Sequence, residues 1–246
     1  MNKLLFTALF AVSFFGAADA QETETEESPL TFSLGVSSGA VWRGAQCAGL
    51  NSSGSVDFAA GGFSAGVEAV SAIGKDDYTE FDLYAAYSIS GAFVSLYDYC
   101  WTMDKFEYFG PYKDYHYLEL GMGYDFSELT DVPLSVSFNM MLAGANKKFN
   151  GDQAHSSYLE ICYAPSLSNG LDLAFTLGAA IENKDAELMY TKKDGFNVAE
   201  IKMELSKTYN LKDFCTVTPS AAIICNPTGL EEHGLTFFVG GVSFGF

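Results

Sequence analysis

The sequence predicts an all-β fold, an antiparallel transmembrane β-barrel of about twelve strands. Three observations carry this. Apolar residues recur with period two along nearly the whole chain. The alternating segments are about ten residues long, the length a tilted membrane-crossing strand needs, whereas globular strands are nearer five or six. The chain also opens on a segment built for export.

That segment decides the compartment. Lys3 supplies a positive charge, Leu4 to Ala18 an apolar core broken only by Thr7, Ser13 and Gly16, and Ala18-Asp19-Ala20 a small-x-small cleavage site. Residues 1–20 therefore read as a signal peptide with Gln21 as the mature N-terminus, and the core is too short to span a bilayer as a helix. Residues 21–29, rich in glutamate, read as a short acidic disordered leader, because nothing there can build a core. Residues 30–246 remain as one barrel domain, with no linker or change of period to divide them. No later apolar run approaches the length of a spanning helix.

In order, the first strand is expected over Thr31 to Arg43, with Phe32, Leu34, Val36, Ala40 and Trp42 on one face. Ser55 to Ala60, Phe63 to Ser71, Thr79 to Ile89 and Ala92 to Trp101 follow. Tyr115 to Phe126 sets Leu118, Leu120, Met122 and Tyr124 against Tyr117, Glu119, Gly121 and Gly123. Leu134 to Ala143, Ser156 to Ala164, Leu171 to Glu182, Phe196 to Ser206, Thr216 to Cys225 and Leu235 to Phe246 complete the set. Two places resist the pattern. Val94 and Leu96 fall on the nominally polar face of their strand, and Pro219 needs a bulge to absorb its missing donor.

The connections alternate between compact turns, such as Gly61-Gly62 and Ser90-Gly91, and longer loops, such as Thr102 to Asp114 and Gly144 to His155. Short periplasmic turns and long surface loops are the barrel habit. Aromatic residues sort toward strand ends: Trp42, Tyr99 and Trp101 at the outer ends, and Phe32, Phe63, Tyr87, Phe93, Tyr124, Phe126, Tyr163 and Phe246 at the periplasmic ends. All of these are expected on the outward faces, forming two interfacial girdles. The last strand closes on Phe246, with Phe244, Val242 and Phe238 on its face, which offers a contact for the barrel-assembly machinery.

The run Ser37-Ser38-Gly39-Ala40-Val41-Trp42-Arg43-Gly44 is similar to the start of the TorF-family porins. Glu80-Phe81-Asp82, Ala86-Tyr87 and Tyr97-Asp98-Tyr99 resemble the next two strands of that family, so the likeness covers roughly residues 31–101. It implies a barrel in the outer membrane of a Gram-negative bacterium and brings no substrate with it. The five cysteines depart from the family pattern.

A formal charge of −18, which loss of Lys3 and Asp19 leaves unchanged, excludes nucleic acid as a partner. Strand parity turns Arg43, Glu68, Glu80, Asp82, Asp98, Glu119, Glu160, Glu200, Lys202 and Glu204 inward as pore-lining residues. So many charges predict a wet lumen, and the acidic excess favours cations. The expected function is passive diffusion of small solutes or cations through an outer-membrane channel, in contact with outer-membrane lipid. The aromatic loop Thr102 to Asp114, with Phe106, Tyr108, Phe109 and Tyr112, is positioned either to fold in as a constriction or to cover the mouth. The other classes are a membrane-embedded lipid-modifying enzyme and a structural or adhesive barrel. Against an enzyme, His116, His155 and His233 lie in or beside outer loops and share no strand face with a suitably spaced serine. No His-x-Glu or Cys-x-x-Cys pattern supports zinc, so no catalytic residue, metal or cofactor is expected. Cys47, Cys100, Cys162, Cys215 and Cys225 leave at least one thiol unpaired, and a Cys47–Cys225 bridge is compatible with closure of the barrel.

Overall fold

The computed structural model describes residues 28–74, 78–102, 107–212, 214–229 and 236–246. The signal peptide and nearly all of the acidic leader lie outside the described residues, as do Phe106 and His233. In chain order the strands are β1 (Leu30–Ser37), β2 (Ala40–Trp42), β3 (Ala45–Ala48), β4 (Asn51–Ala60), β5 (Phe63–Ala72), β6 (Thr79–Ile89), β7 (Ala92–Thr102), β8 (His116–Asp125), β9 (Leu134–Gly144), β10 (Ser157–Tyr163), β11 (Asp172–Glu182), β12 (Gly195–Ser206), β13 (Tyr209–Leu211), β14 (Cys215–Cys225) and β15 (Thr236–Gly245). Two single-turn helices, α1 (Tyr112–Tyr115) and α2 (Ser127–Thr130), lie in loops.

Twelve of these strands form a closed antiparallel barrel in the order β1-β4-β5-β6-β7-β8-β9-β10-β11-β12-β14-β15. Closure rests on two pairings. β1 joins β15 from Ser33↔Gly245 to Ser37↔Gly241, and β12 joins β14 from Ile201↔Cys225 to Ser206↔Ser220. A closed sheet leaves no edge with unpaired backbone groups, which hydrocarbon could not satisfy. Two turns at the end that carries β1's start and β15's finish are tight. Gly61-Gly62 and Ser90-Gly91 both hold positive φ at two successive positions, the I′ geometry that matches strand twist.

Register separates the faces. Val56, Val67, Leu83, Asp98 and Leu118 stand side by side across β4 to β8, and Val56 and Leu83 are each 38% exposed. This is the outer face. Leu34, Met122, Leu177, Ile201 and Ile223 continue it around the wall. Such a belt would be untenable in water and suits lipid. Phe32, Phe63, Tyr87, Tyr163 and Phe246, all exposed, ring the end with the tight turns, as the girdle argument expects.

The opposite row, Ser55, Glu68, Asp82, Tyr99 and Tyr117, faces inward, and Asp82 and Tyr99 are fully or almost fully buried. β7 therefore has the reverse parity from that expected. Tyr99 and Trp101 point into the barrel, Phe93 shares their face beside Gly123, and Val94 and Leu96 lie in the apolar belt, each 45% exposed. The misfit of Val94 and Leu96 disappears with this correction.

Two further expectations change. The first strand does not run on to Arg43. It stops at Ser37, where the Ser38 N–H donates to the Gly240 carbonyl and the Gly240 N–H to the Ser38 hydroxyl. The chain then leaves the wall as the β2–β3 hairpin. Pro219 is accommodated without a bulge. It stays in register with Val242, while the neighbouring strand breaks into β12 and β13 at Lys207–Thr208, opposite the missing donor.

Candidate functional site in the barrel lumen

The β2–β3 hairpin forms a separate two-stranded sheet, and no described strand of the wall pairs with it. Its sides touch well-separated parts of the inner wall. Val41 packs on Ala222, Ile224 and Val239 of β14 and β15, while Ala40, Cys47 and Ala48 pack with Val70, Tyr78 and Trp101 by β5 and β7. The hairpin thus lies inside the lumen. Trp42↔Ala45 pairing leaves Arg43-Gly44 as a two-residue turn with φ of 50° and 78°, again I′. Glycine suits this conformation; arginine does not. An arginine held there is explained by what its side chain reaches.

Arg43 is almost wholly buried and donates to both oxygens of Glu119 on β8, Nη1 to Oε2 at 2.5 Å and Nη2 to Oε1 at 2.9 Å. Nη1 also donates to the Tyr190 hydroxyl at 2.9 Å, and the Tyr99 hydroxyl donates to Glu119 Oε1 at 3.2 Å. The guanidinium carbon sits 4.6 Å from the ring centroids of Trp42 and Tyr158 and 5.4 Å from that of Tyr190. A planar, weakly hydrated cation is well served by a carboxylate fork and aromatic faces together. Burial pushes the Tyr190 phenol up, against the pull of Arg43, so it meets Arg43 as a neutral acceptor.

The tip is seated as well as charged. The Asn226 amide donates to the carbonyls of Gly44 at 3.2 Å and Tyr190 at 3.1 Å. Gly44 presses against the Ala199 carbonyl so closely that a side chain would overlap it. Two irregularities in the wall sit where the turn touches it: Ala199, against Gly44, lies at the register shift between Gly178 and Ala179 where β11 meets β12, and Glu119, against Arg43, at the shift between Leu118 and Glu119 where β8 meets β9. Bulges commonly re-aim groups at such places. Around them a contiguous series of rings, Tyr84–Tyr97–Tyr99–Trp101–Tyr117, stacked except for the tilted Tyr99–Trp101 pair, runs along the inner wall, and Met141 and Met189 fill its flank. The lumen at this level is packed with side chains, where the sequence suggested water.

Of the pore-lining residues expected, Glu68, Glu80 and Asp82 face inward on β5 and β6, with Glu80 accepting from the Tyr78 hydroxyl at 2.7 Å. Glu119, Glu160 and Glu200 face inward on β8, β10 and β12, and Lys202 and Glu204 pair at 3.4 Å on β12. Asp98 does not face the lumen. It lies on the outer face beside Leu83 and Leu118, where His116 Nδ1 comes within 3.1 Å of both its oxygens and Tyr112 donates to it at 2.8 Å. His116 Nε2 bonds the Tyr108 carbonyl at 2.8 Å, and Tyr108 meets Phe81 edge-on. The described part of the aromatic loop therefore covers a polar patch on the outer rim, and does not constrict the lumen.

Sequence reading missed Asp57, inward on β4 and bonded by Ser55 and Tyr84, although its parity with Ser55 would have found it. It also missed Tyr190 and Asn226, which lie in loops where no period marks them. All five cysteines carry free thiols. Among the described residues no group of histidine, cysteine and carboxylate side chains has the arrangement to hold a metal ion.

No family model matches the chain, and no curated protein matches it. Among solved structures, the fold is similar to the KdgM porin, 11% identical over 88% of this chain and 98% of that one, with a TM-score of 0.46. The NanC porin matches at 11% identity over 88% and 97%, with a TM-score of 0.47. The translocator domain of the autotransporter NalP from Neisseria meningitidis matches at 10% identity over 91% and 90%, with a TM-score of 0.46. The likeness is one of barrel form.

Proposed function

We propose that this protein is an outer-membrane channel for passive diffusion of small solutes, that it prefers cations, and that the β2–β3 hairpin narrows it at rest. Kinship with the TorF-family porins is part of the same reading, on the strength of the likeness over residues 31–101. One observation supports the ion preference above all. Among the described residues, both basic side chains that face inward are engaged, Arg43 by Glu119 and Lys202 by Glu204, while Asp57, Glu68, Glu80 and Asp82 line one side of the lumen with no basic partner among them. A passage lined by that excess lowers the entry cost for a cation and raises it for an anion.

The test is single-channel recording of the refolded protein in planar bilayers under a salt gradient. Current with a reversal potential on the cation side is expected. A reversal potential favouring anions overturns the preference, and silence from verifiably inserted protein overturns the channel.

A further inference from the structure

The Arg43 guanidinium is a tethered cation sitting in a cage. Glu119 supplies a carboxylate fork, Tyr190 an acceptor, and Tyr158 and Tyr190 ring faces within 4.6 and 5.4 Å. The cage holds more acceptor capacity than Arg43 uses. Glu200, 3% exposed, receives the Tyr158 hydroxyl on Oε2 at 3.3 Å, and its Oε1 has no hydrogen-bond partner among the described residues. On the donor side, Arg43 Nε likewise has no hydrogen-bond partner among the described residues. A buried carboxylate oxygen left open is costly, so the fit between tether and cage is incomplete. The tether itself bears the strain of a non-glycine residue at φ 50°.

We propose that the pocket formed by Glu119, Tyr158, Tyr190 and Glu200 is a recognition site for guanidinium-bearing solutes, which Arg43 of the hairpin occupies until such a solute displaces it. Forked hydrogen bonding to a carboxylate and stacking on aromatic faces select a planar guanidinium over a compact ammonium or a hydrated metal ion. The proposal rests on the channel reading, since the solute has to reach the lumen from the mouth. It deepens that reading by naming the solute class and the event that moves the hairpin. Because the tether acts as an intramolecular competitor at an effective concentration on the order of millimolar or more, removing it should tighten solute binding on the order of tenfold.

The experiment titrates methylguanidinium, with methylammonium as the comparison, into detergent-folded protein. Binding is read by tryptophan fluorescence, since the chain has two tryptophans and both lie at this site, Trp42 beneath Arg43 and Trp101 tilted against Trp42. Arg43→Ala is expected to give a saturable change with methylguanidinium, tighter than in the native protein and stronger than with methylammonium. Glu119→Gln added to it should abolish the change. A folded Arg43→Ala barrel that shows no saturable change, or keeps it without the Glu119 carboxylate, overturns the site. Should Arg43→Ala not fold, Arg43→Lys leaves a cation in place but no fork. Binding to it no tighter than to the native protein also overturns the proposal. Fluorescence reads binding without passage, so saturable binding by a barrel silent in bilayers retires the channel alone, and conduction without binding retires the site alone.

Discussion

The two terminal nitrogens of Arg43 meet the two oxygens of Glu119 at 2.5 and 2.9 Å, although 76 positions separate the residues in the chain. Both side chains are almost completely buried. Each charge is tolerable in the packed interior because the other is there. Removing one partner leaves the other uncompensated, at a typical cost of about 3–5 kcal/mol, whereas replacing both by apolar groups costs far less. Arg43→Met and Glu119→Met should each lower the temperature at which the folded form is lost on a semi-native gel. The double variant should recover most of that loss. Additive losses would show that the pair is not coupled.

Gly44 and Gly61 form a matched pair for testing whether the hairpin is seated or merely present. Both have positive φ, 78° and 59°, so alanine strains the backbone at either site by roughly 1–2 kcal/mol. Only at Gly44 would the new methyl also overlap the Ala199 carbonyl; at Gly61 it meets open space. Gly44→Ala should therefore unseat the hairpin and raise single-channel conductance, while Gly61→Ala should leave conductance as it was. Equal effects from the two would mean that the tip contact does not hold the hairpin in the lumen.

The wall was legible in the sequence because lipid outside and polar groups inside impose alternation on every strand. The lumen was legible only in part. Alternation persists through Ala40 and Trp42, so the sequence reads as a first strand continuing to Arg43, and the cue to the contrary was the glycine at Gly44 directly after Arg43, a pair that closes a turn between Trp42 and Ala45. Tyr99 and Trp101 suit a membrane interface and a packed interior equally well. What decides between them is the other face of β7, where Val94 and Leu96 belong to the apolar belt, together with the contacts of Tyr99 with Glu119 and of Trp101 with Tyr117. Asp98 was misplaced for the same reason: the loop that shelters it on the outer face, through Tyr112 and His116, leaves no trace in strand parity.

Asp98 and Asp82 consequently make opposite predictions. Asp82 is buried on the inner face and Asp98 lies on the outer face. Asp82→Asn, or Glu68→Gln beside it, should move the reversal potential under a salt gradient toward zero, since each removes a cation-attracting charge from the lumen. Asp98→Asn should leave it unchanged while loosening the rim loop that Tyr112 and His116 pin. A selectivity change from Asp98→Asn as large as that from Asp82→Asn would contradict the face assignment.

Cys47 reports on the hairpin from within. It lies on β3 against Val70, Tyr78 and Trp101, outside the spanning strands. Burial, aided by the Glu80 carboxylate, pushes its thiol up to about 12. The thiolate is the reactive form, so at pH 8, some four units below that value, only about one thiol in ten thousand is ready to react, compared with roughly a quarter of an ordinary exposed cysteine. In a variant keeping Cys47 alone, with Cys100, Cys162, Cys215 and Cys225 replaced by alanine, maleimide labelling at pH 8 should be slow and should rise with pH well beyond the range where free cysteine has levelled off. Adding Gly44→Ala should restore ordinary reactivity, because a displaced hairpin brings the thiol into water. Fast labelling in the otherwise native hairpin would mean that the plug leaves the lumen unaided, and that the Arg43–Glu119 pair does not hold it.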